Sequence, residues 1–328
     1  MLKEMPQINL LRGIAALMVA LYHFFWFTGS DGTLFQDGGT IKTVASFGAT
    51  GVYLFFVISG FVIPWSMYHG NYRLPKFFKF MGKRLLRLEP PYLASILLIL
   101  AFGLFMSKVV WGCEWSLNVP QLLLHIGYLI PFTGGKYEWI NIIYWTLAIE
   151  FTYYLVLSLL FPLLNHNNRI ARYSVLLLFL AGPLFFTDKA FLPVFTPIFL
   201  LGFLLFQYFT TRMNRWEMLG WAVAAFAVIA FYHKSDVVVA SAIGFFGIWL
   251  LRSDTRIGNG LGAISYSLYL IHGLTGNNYL LFCSSSVQSL PLKLLNVSIA
   301  LAFSLISAYI FWYVVERTSK RWSQKIKL

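Results

Sequence analysis

An arginine and a histidine stand eleven positions apart, Arg12 and His23, in an otherwise largely apolar opening stretch. On a helix, eleven steps of about 100° return to within about 20° of the starting direction, with a rise of about 16 Å. The pair then shares one face, with a fixed cation at one end. At the other end is an imidazole that can take a proton in general-base catalysis or carry a group as a nucleophile. Each residue also has an ordinary explanation. Arg12 can extend its guanidinium to lipid headgroups, and His23 can be satisfied by a neighbouring helix. Together they fit one elongated ligand.

Three further ionisable residues interrupt apolar stretches: Glu150, His272 and, near a boundary, Glu89. Charged groups in hydrocarbon are costly and usually functional. Counted along their stretches, Glu150 and His272 fall at a depth similar to that of His23, so the three are expected in one layer. The alternative is that each is a structural hydrogen-bonding group. Arg84 and Arg87 are spaced i, i+3 on one helix face, just before Pro90 and Pro91. Their planar forks suit phosphate oxygens, and with Arg12 they would make a phosphate site. Ordinary orientation of basic residues toward the cytoplasm is the competing account.

The elements that must position these residues follow from composition. Hydrophobic residues make up 59% of 328 and charged residues 11%, with mean hydropathy +0.70. Soluble domains carry roughly 45–50% apolar and about 25% charged residues, so both a water-soluble fold and disorder are excluded. Ten stretches approach the roughly 20 apolar residues that cross a bilayer: 8–28, 44–67, 90–110, 141–164, 173–188, 190–209, 217–233, 236–251, 259–282 and 293–315. The expected fold is an all-α polytopic membrane protein, a single transmembrane domain over 1–328 with no fused extracytoplasmic domain. A shorter apolar piece, 120–132, is bounded by Pro120 and Pro131 and reads as re-entrant or interfacial.

The net charge of +13 does not indicate nucleic acid. With both termini cytoplasmic, eighteen of the 25 basic residues fall in cytoplasmic pieces, from Lys3 through the Arg73–Arg87 group to Lys327. Six fall outside: Lys42, Lys108, Lys136, Lys189, Lys234 and Lys293. That asymmetry orients membrane proteins. Cys113 and Cys283 are too few for a disulfide scaffold or thiolate cluster. They are expected as thiols, with a disulfide as the alternative. His69, His125, His166 and His233 read as surface or interface residues. No metal-binding or nucleotide-hydrolysis motif is present, so no metal is expected.

The motifs together resemble the integral-membrane acyltransferase-3 family. They are Leu11-Arg12-Gly13 through Tyr22-His23, Phe55-Phe56-Val57-Ile58-Ser59-Gly60, and Arg84-Leu85-Leu86-Arg87 with Pro90-Pro91-Tyr92. Further on come Trp145-Thr146-Leu147-Ala148-Ile149-Glu150, Ser265-Tyr266-Ser267-Leu268-Tyr269-Leu270-Ile271-His272 and Val315-Glu316-Arg317. Three positions depart from the family pattern: Glu89 replaces an aromatic, Phe151 a second acid, and Thr318 the closing proline.

The resemblance implies O-acyl transfer from cytoplasmic acyl-CoA, most often acetyl-CoA, with no permanently bound cofactor. The implied acceptor is a lipid-linked or extracytoplasmic glycan, as in lipopolysaccharide or exopolysaccharide modification, and the implied location is a bacterial inner membrane. In this reading Arg12, Arg84 and Arg87 hold CoA phosphates. His23 is the catalytic base or acyl carrier, and Glu150 orients it or binds acceptor hydroxyls. Trp145 stacks a sugar or anchors at the interface. Tyr269 shares the hydrogen-bond network of His272, both near the substrate. Ser59-Gly60 reads as a close helix contact. Membrane lipids are obligatory neighbours, and a homo-oligomer or glycan-assembly partners are open. A transporter or flippase for a polar lipid or glycan is the different-class alternative. An acyltransferase acting on a small secondary metabolite or a peptidoglycan sugar is another.

Overall fold

The computed structural model describes residues 5–29, 32–165, 168–283 and 289–327. Lys3 and His166 lie outside them. Among the described residues, the regular structure is helical apart from a two-residue antiparallel ladder pairing Thr28 with Thr33 and Gly29 with Gly32. The helices are α1 Gln7–Phe25, α2 Thr40–Ser46, α3 Gly51–His69, α4 Phe77–Phe105, α5 Val119–Ile126, α6 Trp145–Leu164 and α7 Arg169–Phe185. They continue with α8 Thr196–Phe209, α9 Arg215–Tyr232, α10 Ser235–Leu250, α11 Arg256–His272, α12 Asn278–Cys283, α13 Leu290–Phe311 and α14 Arg317–Lys325.

A helix stands at each of the ten expected places. Seven helical stretches among the described residues are long and apolar enough to cross a membrane; α7, α10 and α11, at 17, 16 and 17 residues, are shorter. The 120–132 piece holds only the eight-residue α5 and a following 3-10 turn. No disulfide joins Cys113 to Cys283.

One boundary differs from expectation. The span expected to begin at Pro90 begins at Phe77, and α4 runs unbroken through Pro90 and Pro91. Two prolines remove the helical donors to the carbonyls of Leu86 and Arg87, four residues earlier. A donor from another helix replaces them: the Ser319 hydroxyl on α14 is shared between the carbonyls of Leu86 and Arg87. One turn on, Ser323 Oγ donates to the Lys83 carbonyl at 2.8 Å. Prolines persist in membrane helices where neighbouring side chains re-satisfy the freed groups in this way. The repair also clamps α14 along the part of α4 that carries Arg84 and Arg87.

Lipid tails are as apolar as leucine, so helices in a membrane associate through close packing rather than expulsion from water. Small residues mark the tight crossings. A Cβ on Gly60 of α3 would lie 2.0 Å from the Phe199 carbonyl oxygen of α8, and one on Gly202 would lie 1.9 Å from that of Val57. A Cβ on Gly13 of α1 would lie 2.6 Å from Leu261 Cβ of α11, and one on Gly262 would lie 2.4 Å from the Asn9 carbonyl oxygen. A hydrogen bond of 2.9 Å from Asn9 Nδ2 to Asn259 Oδ1 secures the same crossing. These contacts hold α1 against α11 and α3 against α8.

Replacing Ser319 by alanine removes the donor to two half-buried carbonyls, at a cost of about 1–3 kcal/mol. Ser319→Ala should lower the unfolding temperature of the detergent-purified protein, while Ser319→Thr, which keeps the hydroxyl, should not. Equal stability of Ser319→Ala and the parent would refute the repair.

Candidate functional site

Two cavities meet inside the bundle. The first, of about 920 Å³, is lined by Arg12 and Asn9 of α1, Ser59 of α3, and Arg84 and Arg87 of α4. Glu150 and Tyr154 of α6, Tyr266 and Tyr269 of α11, and Glu316 complete its polar lining. The second, of about 1020 Å³, is lined by Tyr22, His23, Tyr53, Trp145, Lys189, His233, Lys234 and Asp236. Val52 and Tyr269 line both and form the partition between them.

Helix α1 runs unbroken from Gln7 to Phe25, so Arg12 and His23 keep the axial separation of about 16 Å expected from their spacing. That separation carries Arg12 to the first cavity and His23 to the second. Helix α11 makes a parallel ladder at three-residue steps. Tyr266 lines the arginine cavity, Tyr269 lines both, and His272 lies with its ring centroid 5.1 Å from that of His23.

The arginine cavity is rich in cations that have no ion-pair partner. The ion pairs among the described residues are Lys42–Asp37 and Arg172–Glu217, both elsewhere. Arg84 is 4% exposed, and its Nε and Nη2 have no hydrogen-bond acceptor among the described residues. Its guanidinium carbon lies 5.2 Å from the Phe80 ring and 5.6 Å from the Tyr154 ring, which positions the fork without using its donors. The two carboxylates of the cavity are committed to neutral donors. Glu150 Oε1 accepts from Ser59 Oγ at 2.8 Å and from Tyr154 OH at 2.5 Å. Glu316 Oε2 accepts from the backbone N–H and hydroxyl of Ser267, at 3.1 and 2.5 Å. Glu316 ends a π-turn over Trp312–Glu316, inserted between α13 and α14. Such turns re-aim side chains and recur at functional sites.

The second cavity is lined by His23 and His233, and His272 packs against His23. His23 packs edge-on against Tyr22, centroids 5.0 Å apart. His272, 1% exposed, directs Nδ1 at the carbonyls of Leu268 and Tyr269, at 3.1 and 2.9 Å. Nδ1 therefore carries the hydrogen, and the neutral ring keeps Nε2 as an acceptor. His233, just past α9, directs Nε2 to the Val194 carbonyl at 3.0 Å. Burial holds the His233 imidazole below its ordinary pKa; that hydrogen bond opposes the shift and the Lys189 charge adds to it. Trp145 opens α6 and packs against Phe195 and Phe56 while lining this cavity. Tyr269 OH bonds with Thr146 Oγ1 at 2.6 Å and donates to the Ile143 carbonyl at 3.0 Å. These bonds hold its ring in the partition.

Arg12, Arg84 and Arg87 come together as their motifs suggest, and His23 meets His272. Glu150 does not join them. Helix α6 carries its carboxylate into the arginine cavity, where Ser59 and Tyr154 hold it. The expected single layer of His23, Glu150 and His272 is thus two layers. Gly60 makes the close helix contact, while Ser59 beside it is a hydrogen-bond donor. Tyr154, Glu316 and His233 were not expected at a site. Tyr154 stands four residues after Glu150, a spacing that places two side chains on one helix face. Glu316 belongs to the Val315-Glu316-Arg317 motif. His233 sits at a helix end, where sequence carries no comparable signal.

Residues 5–317 match the family model described as an acyltransferase domain, acyltransferase-3. Among curated proteins, the chain is similar to BcsY of Komagataeibacter xylinus, described provisionally as a membrane-bound transacylase. The two are 27% identical over 306 residues, covering 83% of this chain and 73% of BcsY. It is also similar to the acyltransferase MdmB of Streptomyces mycarofaciens, with 28% identity over 169 residues, 49% of this chain and 40% of MdmB. No solved structure matches the chain.

A buried guanidinium without a partner is destabilising, and apolar replacement of buried charges is often neutral or stabilising. Arg84→Met should therefore unfold at an equal or higher temperature than the parent in the absence of any ligand. An anion that binds the folded parent through Arg84 should raise the unfolding temperature of the parent and not that of Arg84→Met. A less stable Arg84→Met protein would make Arg84 a structural residue.

Proposed function

This chain belongs to the acyltransferase-3 family and is a multi-pass membrane acyltransferase. From that premise we propose that it moves an acetyl group from cytoplasmic acetyl-CoA to a hydroxyl of a lipid-linked or extracytoplasmic glycan. The observation that carries this reading is the pair of abutting cavities. One is cationic with unpaired guanidinium donors, the other holds His23, and they meet at Val52 and Tyr269.

Acyl-CoA is long and thin, with phosphates at one end and a thioester at the other. Arg12, Arg84 and Arg87 supply charge-assisted hydrogen bonds for the phosphates. The pantetheine arm then points along α1 toward the partition, where the thioester comes within reach of His23. The acceptor enters from the histidine cavity, which opens to the opposite side of the membrane in the orientation favoured by the basic residues. Trp145 offers that acceptor an aromatic face.

Neutral His23 takes the proton of the acceptor hydroxyl as its oxygen attacks the thioester carbonyl carbon. Collapse of the tetrahedral intermediate breaks the carbon–sulfur bond. The CoA thiolate leaves and recovers the proton from the imidazolium, so an ester and free CoA result. His272 packs against His23, and its Nδ1 hydrogen is committed to backbone carbonyls. Those bonds fix the orientation of the His272 ring beside the base. Glu150 acts on the donor side, balancing the arginine charge and anchoring Ser59 and Tyr154. Tyr269 screens the reacting atoms from the phosphate end.

Labelled acetyl-CoA supplied to membrane vesicles with host glycans tests the reaction. Label should enter a glycan with the parent protein and not with His23→Ala, at matched protein level and membrane insertion. Normal transfer by His23→Ala would reject the mechanism. The double variant Arg84→Ala, Arg87→Ala should raise the apparent KM for acetyl-CoA by at least about tenfold, as expected for lost charge-assisted bonds. An unchanged donor dependence would reject the phosphate role.

A further inference from the structure

Resting on the reading of the arginine cavity as an acyl-CoA site, we propose a second phosphate subsite at its mouth. It is formed by Lys320 of α14 and Lys83 of α4 and recognises the 3′-phosphate on the ribose of CoA.

The docking of α14 on α4 brings together the two helix segments that carry these lysines, beside the arginine cavity. Ser319 is hydrogen-bonded to the carbonyls of Leu86 and Arg87, and Ser323 to that of Lys83. Lys320 follows Ser319 directly and stands four residues after Glu316, whose carboxylate lines the cavity. On a helix that spacing puts Glu316 and Lys320 on one face, about 6 Å apart along the axis. Lys83 adjoins Arg84 in sequence. Exposure rises along the series: Arg84 is buried, Lys83 and Arg87 are half-buried, and Lys320 is exposed. The cations thus form a path from the interior to the surface.

Charge crowding separates this arrangement from ordinary cytoplasmic basic residues. Lys320 feels repulsion from Arg87 and Arg12, offset only by Glu316. Lys83 feels repulsion from Arg84 and Arg87. Neither lysine is in an ion pair among the described residues. A freely spread set of basic residues would avoid such proximity, whereas the serine clamps hold these together. Five cations, Arg12, Lys83, Arg84, Arg87 and Lys320, face two carboxylates already hydrogen-bonded elsewhere. The excess positive charge calls for an anion with more than one phosphate locus.

The residue types match the two loci of CoA. The diphosphate, nearest the pantetheine arm, suits the buried arginine forks, which bind phosphate oxygens bidentately. The 3′-phosphate is a monoester on the ribose, at the end of the molecule farthest from the thioester. A compact, hydrated dianion there suits lysines near water, which act as point charges. The lysines would then distinguish CoA thioesters from acyl carriers that possess the pantetheine and its phosphate but lack the ribose monoester.

Steady-state transfer from acetyl-CoA and from 3′-dephospho-acetyl-CoA, measured in vesicles, tests the subsite. The parent should show a KM about tenfold lower for acetyl-CoA, as expected for one charge-assisted contact. Lys320→Ala should raise the KM for acetyl-CoA toward that of the dephospho donor. It should leave the dephospho KM and both kcat values unchanged, and Lys320→Arg should restore the preference. Lys79→Ala, which removes an exposed charge of α4 outside the cluster, should change neither. Equal use of the two donors by the parent, or a parallel rise in both KM values in Lys320→Ala, would overturn the subsite while leaving the donor reading intact. Failure of the parent to transfer from either thioester would overturn the donor reading and the subsite with it.

Discussion

Hydrocarbon offers no hydrogen bonds, so every carbonyl that a helix fails to satisfy must find a donor in the protein. Two consecutive prolines in α4 create that need at Leu86 and Arg87, and one hydroxyl, that of Ser319, meets it. The consequences extend well beyond the kink. The repair joins the C-terminal helix to the helix bearing Arg84 and Arg87. It brings Glu316 to the cavity wall through the π-turn that precedes α14. A defect in one helix thereby organises one side of the proposed donor site.

The opposite side is organised by packing. Where the solvent is lipid, contact quality decides which helices adjoin, and the glycines at 13, 60, 202 and 262 permit backbone approaches that a methyl group would block. Close crossings hold α1 against α11 and α3 against α8. The polar residues on those helices are thus presented inward at constant depth, and a cavity remains where the bulky residues cannot meet. The protein sustains this space with costly features: an unpaired guanidinium, two carboxylates held by neutral donors, and several tyrosines. Buried charge arranged in this way contributes little to stability, and a ligand anion would relieve it.

Tyr269 is the residue on which the two halves converge. It lines both cavities, and its hydroxyl is held by Thr146 and Ile143 rather than directed at either. A partition of this kind keeps the three arginines apart from the imidazole that, in the proposed reaction, accepts a proton; Lys189, Lys234 and Asp236 are the charged residues on the histidine side. The separation matters because a nearby cation opposes protonation of histidine. In the proposed reaction, phosphate binding and proton transfer then occur on one helix about 16 Å apart.

Much of this was legible in the residue string. The apolar content required helices in a membrane, and the spacing of Arg12 and His23 put them on one face of a single helix, because helical geometry is local. The i, i+3 pair Arg84 and Arg87 and the motifs around Glu150 and His272 marked further site residues for the same reason. What only the tertiary structure decided is which of them meet. Axial position counted from an apolar boundary gave Glu150 a depth similar to that of His23, yet α6 begins at Trp145 and carries the carboxylate to the arginine cavity. Pro90 looked like the start of a span, because proline removes a helical donor. Ser319, more than two hundred residues later, supplies that donor, and no local pattern in the sequence could show it. Helix faces and periods are set by neighbours along the chain, whereas the partner of a buried charge or an orphaned carbonyl is set by packing between helices.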